Sequence, residues 1–173
     1  MATSLYDLTV ASYLQVGEAL AGVLAKGAAH CAEQGLDPSE LVSHRIAPDM
    51  ADLRFQVYCV AHHSIGAVHA FRTGEFGPPG GYEDFDYAGL QQVLGDAVAE
   101  LKSLDRAEID ALGGGTVTFR LGQMEIPFTT ENFALSFSLP NFYFHATTAY
   151  DLLRSKGVAI GKRDFLGQLR VGT

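Results

Sequence analysis

The strongest constraint on this chain is a run without formal charge. Between Glu131 and Asp151 there is no Asp, Glu, Lys or Arg, and the interval is dense in phenylalanine. A helix over this stretch is apolar nearly all round and belongs in a core. Thr129 or Thr130 can N-cap it, Glu131 suits the positive end of its dipole, and Ser155-Lys156-Gly157 supplies a basic last turn and a glycine stop. Pro140 is the anomaly. Inside a helix it removes a donor and meets the carbonyl of Ser136, at a cost of about 3 kcal/mol, so a kink is expected. Such a kink either wraps the helix around its neighbours or frees a carbonyl beside Asn141 for a ligand. A membrane span needs about 20 apolar residues; Pro140, Asn141, His145 and four Ser or Thr side chains within the run argue against one.

Asn141 and His145 are the other polar exceptions. At i,i+4 spacing they share one helix face, about 6 Å apart along the axis. This pair is the leading candidate site.

The rest of the chain supplies a setting for it. At 173 residues, 47% hydrophobic and 18% charged, it suits a single domain over residues 1–173 with a substantial core. A net charge of −8 and a pI near 5.1 oppose nucleic acid as a partner, since that binding rests on clustered Lys and Arg. The one basic cluster, Arg154, Lys156, Lys162, Arg163 and Arg170, reads as a solvated tail that touches a partner. The amino terminus lacks a basic segment leading into an unbroken apolar one, and Glu18 and Lys26 interrupt the apolar residues beyond it, so neither export nor a membrane anchor is expected. Cys31 and Cys59 have neither disulfide-framework nor zinc-knuckle spacing, which suits a reduced cytoplasm.

Apolar periodicity predicts a first helix from Leu5 to about Gln34, stopped by Gly35. Asp37-Pro38-Ser39-Glu40 opens a short turn. A second helix restarts at Ala47-Pro48-Asp49-Met50 and runs to about Phe71. Asp49, Gln56 and His63 lie seven apart along it and so share a side, read either as a bundle boundary or, functionally, as placing Gln56 against Asn141 and His145. His62 and His63 invite a metal, yet neither HxxxH nor HExxH is present on this helix. His62 is expected to face solvent together with His69. The glycine- and proline-rich stretch Arg72 to Gly81 reads as a loop able to cover a pocket mouth. A third helix runs from Tyr87 to about Leu104 behind Asp86, then a short turn behind Asp105. Thr116–Leu121 and Met124–Phe128 alternate as a small hairpin around Gly122-Gln123, with Pro127 confining it to an edge. Four long helices mean an all-α four-helix bundle with a small β-hairpin between helices 3 and 4.

The run Leu139-Pro140-Asn141-Phe142-Tyr143-Phe144-His145-Ala146-Thr147-Thr148-Ala149-Tyr150, then Gly157 and Gly161-Lys162-Arg163-Asp164-Phe165-Leu166-Gly167, resembles the signature of an uncharacterised bacterial domain-of-unknown-function family. Ala47-Pro48-Asp49-Met50 with Gln56 fits the same family, which is similar to the DinB/YfiT-like superfamily of four-helix-bundle proteins. That resemblance implies a buried site near the bundle centre, where one histidine from the second helix and an HxxxH pair from the fourth hold a divalent metal. It also implies thiol-dependent transferase, isomerase or hydrolase activity in some members, and frequent dimers. The fourth-helix pair falls on Asn141 and His145, and the second-helix ligand on Gln56 or, by register, Asp49.

Neutral amides are weak ligands for Zn²⁺ or Ni²⁺, so a three-histidine metal site is not favoured. Two readings remain. In one, the bundle binds a small molecule through Gln56, Asn141, Asp49 and His145. In the other it is a metal- or thiol-dependent transferase or hydrolase in which His145 is the catalytic residue and metal ligand, completed by Asp49 or by one of His62 and His63. A homodimer through the apolar first and fourth helices is compatible with either.

Overall fold

A computed structural model describes residues 3–172. Its first helical stretch is divided: α1, Leu5–Leu8, is followed at Thr9 by α2, Val10–Gln34. Gly35 ends α2 in the left-handed conformation, at φ 65°, where glycine carries no Cβ penalty. By length and composition Leu5–Gln34 would suffice to cross a membrane; half of its most apolar window is buried inside the fold. The short α3, Ser39–Val42, comes next, with the Asp37 carboxylate accepting from the Ser39 amide.

The second long helix, α4, spans Leu53–Thr73. It starts later than the sequence pattern predicts, because Asp52 takes the N-cap and accepts from the Phe55 amide. Asp49 therefore lies outside the helix, exposed in the preceding turn. Gly74 closes α4 with a left-handed φ of 77° and turns the chain into β1, Glu75–Phe76. The expected loop thus contains a strand. A strand this short exists only through its pairing, here parallel to Thr118 and Phe119.

The third long helix, α5, is Tyr87–Ser103, capped by Asp86 as expected; Asp105 then caps α6, Arg106–Asp110. Strands β2, Thr116–Leu121, and β3, Met124–Thr129, pair antiparallel and, with β1, make a three-stranded sheet ordered β1-β2-β3. Pro127 sits on the outer strand, where no neighbour needs its missing N–H. The sheet, rather than an isolated hairpin, is what the helices carry.

The uncharged run begins with α7, Thr130–Phe133, capped by Thr129, and passes through a π-helical segment, Ala134–Ser138, into α8, Leu139–Ser155. The Leu139 N–H reaches back five residues to the Ala134 carbonyl. Pro140 then falls in the first turn of α8, directly behind the π turn, so its missing N–H is one bond lost from a continuous helix. A change of helical register thus accompanies the proline at which a kink is expected. The tail also departs from expectation: α9, Lys162–Leu166, packs on α2, with Lys26 paired to Asp164 and the Gln15 amide donating to the Leu166 carbonyl.

The core lies where α4 packs on α5 and α8, and α2 on α5 and α8. Tyr13, Leu20, Leu24, Leu53, Leu90, Leu94, Phe133, Phe142, Leu152 and Leu153 are its largest fully buried side chains. Burial of apolar area at about 25 cal/mol per Å² is the main stabilising term. The approach of α5 to α2 depends on Gly27, where a Cβ would stand 2.1 Å from the Tyr87 hydroxyl. That hydroxyl donates to the Leu24 carbonyl.

Candidate functional site

The site lies between α4 and α8. Gln56, one turn into α4, is buried, and its amide nitrogen donates to the Ala51 carbonyl at 3.1 Å. That bond orients the amide, so Oε1 faces α8 and accepts from His145 Nδ1 at 2.7 Å. An amide oxygen can only accept, so His145 carries its proton on Nδ1 and keeps the lone pair on Nε2.

His63, two turns beyond Gln56, comes to the same place. Its ring lies nearly parallel to that of His145, with centroids 5.7 Å apart, and its Nδ1 is buried with no hydrogen-bond partner among the described residues. Burial holds both imidazoles neutral at physiological pH: His63 is pushed down to about 3, with His62 and His145 adding to the effect, and His145 to about 4. Asn141 donates its amide to the Phe137 carbonyl at 2.7 Å. This bond ties the side chain to its own helix and leaves Oδ1 as an acceptor and the second N–H as a donor.

These groups border a cavity of about 200 Å³. Phe55, Cys59 and His63 of α4 form one wall and Asn141 and His145 of α8 another, with Phe137 of the π segment beside them. Phe119 of β2 and the strap Phe76-Gly77-Pro78-Pro79 complete it. The strap is held down from α4: His62 Nε2 donates to the Gly77 carbonyl at 2.9 Å, and the Tyr58 hydroxyl to that of Gly80 at 2.7 Å. His62 is thus engaged with the strap and only partly exposed, while His69 does face outward and meets Glu100. No Asp, Glu, Lys or Arg lines the cavity. Cys59 is fully buried and its thiol is pushed up to about 12.

Of the four sequence candidates, Gln56 and His145 are hydrogen-bonded to each other, and Asn141 shares the cavity with His145. Asp49 does not join them. The residues that sequence reasoning left out of its site are Cys59 and the aromatic lining of Phe55, Phe76, Phe119 and Phe137; their signal was indistinguishable from ordinary core. His63 was visible as the residue seven beyond Gln56.

The donor set does not fit the metal centre that the resemblance implies. Among the described residues no three His, Cys, Asp or Glu side chains are grouped to hold an ion. The positions of the missing imidazoles carry neutral amides, weak ligands for such ions; Gln56 Oε1 is already taken by His145, which leaves only Asn141 Oδ1 open.

A family model described as "Domain of unknown function (DUF1993)" matches residues 5–166. The chain belongs to the DUF1993 family. This DUF1993 chain is also similar to the crystal structure of a DinB family member protein from Shewanella denitrificans. The TM-score is 0.80 at 27% identity, over 98% of this chain and 95% of that one. The fold is therefore all-α and DinB/YfiT-like, with small β-strands. No curated protein matches the sequence.

Proposed function

We propose that this DUF1993 protein binds a small neutral molecule in the cavity between α4 and α8, without the three-histidine metal site. The observation that carries the reading is the meeting of two buried neutral imidazoles and an amide at the wall of an otherwise largely apolar void. Ligand pockets combine an apolar lining with a few placed polar groups. At about 200 Å³ this one falls below the roughly 300–1,000 Å³ of drug-sized sites, so the ligand is of monocyclic-aromatic size. An unpartnered buried nitrogen such as His63 Nδ1 costs about 1–3 kcal/mol, a cost sustained at a site rather than in inert core.

The transferase reading draws less support. A catalytic base works best with a pKa near the operating pH, and His145 lies well below it. Catalysis by Cys59 itself gains no support either, since a thiol nucleophile works as thiolate and Cys59 is held as the thiol. In the binding reading α2 is a core helix of a cytoplasmic protein.

Protein-observed NMR of the histidine rings during titration with a panel of monocyclic aromatic probes tests the binding reading. Bound probes should perturb the ring signals of His63 and His145, and Asn141→Phe, which puts a bulky ring into the cavity wall, should abolish the effect. A panel that leaves both histidines unmoved in the wild type would overturn it.

A further inference from the structure

The polar groups facing the cavity have a direction as well as a position. Gln56 does not line the cavity, whereas His145 does. With Nδ1–H tied to Gln56 on the α4 side, the ring has its Nε2 lone pair left for an occupant. Asn141 offers Oδ1 and, with one N–H given to Phe137, its second N–H. The strap carbonyls of Gly77 and Gly80 are already taken by His62 and Tyr58. The neutral His63 ring adds one N–H and one lone pair. His145 Nε2 is thus the one side-chain group here that can only accept.

Charge narrows the choice further. With no Lys or Arg in the lining, a carboxylate would be buried without a counter-ion, and with no Asp or Glu an ammonium would be too. Either is strongly disfavoured. A molecule bearing only acceptors could take an N–H from Asn141 or His63 but would strand the His145 Nε2 lone pair.

We propose that the cavity selects a neutral molecule that donates a hydrogen bond, because Gln56 acts as a positioning residue that fixes His145 as the Nδ1–H tautomer. This deepens the binding reading above and rests on it. Phenol, anisole and benzoate are suitable probes, being similar in size and differing in whether they donate, only accept, or carry charge.

The test combines two measurements on the full chain. Long-range ¹H–¹⁵N correlation spectra of histidine-labelled protein give the tautomer of His145 without any ligand, and titrations with the three probes give relative affinity. The expected results are an Nδ1–H tautomer, phenol bound about tenfold more tightly than anisole, the worth of roughly one buried hydrogen bond, and no binding of benzoate. In Gln56→Leu the Nδ1–H preference should be lost and the phenol-to-anisole ratio should fall toward one. An Nε2–H tautomer in the wild type overturns the inference whichever probes bind. Anisole or benzoate binding as tightly as phenol also overturns it, while leaving the binding reading intact. Failure of all three probes to shift His145 or Asn141 overturns both. Should Gln56→Leu not fold, the wild-type tautomer and the phenol-to-anisole ratio still decide.

Discussion

Two polar clusters sit about two turns apart on the uncharged helix, and they are built to opposite ends. In the first, the Ser138 hydroxyl donates to the His63 carbonyl at 2.6 Å. The Tyr13 hydroxyl, 2.7 Å from Ser138, therefore donates to it in turn. Tyr13 and Ser138 are fully buried, Tyr13 packs edge-on against Phe142, and each hydroxyl has its partner. In the second, Gln56 and His145 are paired, yet His63 Nδ1 has no partner and a void adjoins. Burial alone does not distinguish the two. Completeness does: a satisfied network locks α2, α4 and the π-helical segment together, whereas an incomplete one beside a cavity has a place for something else.

The sharpest way to break this comparison is to damage the closed cluster. Tyr13→Ala should cost about 3–5 kcal/mol in urea denaturation, the range for deleting a buried aromatic side chain, and should leave the NMR tautomer of His145 unchanged. A shifted tautomer would show that the clusters are one unit. Acid tests the open cluster in turn. His63 and His145 have folded pKa values depressed below the ordinary 6.5, so between pH 6.5 and about 3 the unfolded chain binds protons that the native one refuses. Stability should thus be full above pH 6.5 and fall below it, by roughly 3 kcal/mol from His145 alone, as read from denaturation midpoints across pH. His63→Phe sharpens the contrast in the other direction. Removing an unpaired buried nitrogen while keeping a ring of similar shape should be neutral or raise stability by about 1 kcal/mol, and should flatten part of the acid slope. A loss of several kcal/mol would mean that His63 has a partner after all. The smallest effect belongs to Asp49→Asn, expected within about 0.5 kcal/mol and without influence on probe binding.

Caps and periodicity carried much of this architecture on the surface of the sequence. Asp86 and Gly35 bound helices where their chemistry says they should, and the i,i+4 spacing of Asn141 and His145 pointed to a cavity wall. Gln56 was legible as their neighbour through its place on the second helix. Asp49 was misplaced because a seven-residue spacing has meaning only inside one helix, and Asp52 starts that helix four residues after Pro48. The strand at Glu75–Phe76 was hidden since two residues have no periodicity; only partners at Thr118 and Phe119 make them a strand. Likewise His62 was assigned to solvent from its spacing to His69, while the strap that gives it Gly77 is a matter of tertiary placement.

The π-helical turn at Ala134–Ser138 also bears on how this family can tolerate change in chain length. Such a turn holds one residue more than the α-helix around it. Because the turn takes up that residue locally, the helix on either side keeps its phase, and deleting one residue there would restore ordinary α spacing. Phe133 and Phe137, both now in ring contact with Phe76, would stay on the face that seats the sheet, at i,i+3 instead of i,i+4. A single-codon deletion in this turn is thus a change of length that the helix can absorb, whereas the same deletion inside α8 would swing everything on one side of it by about 100°.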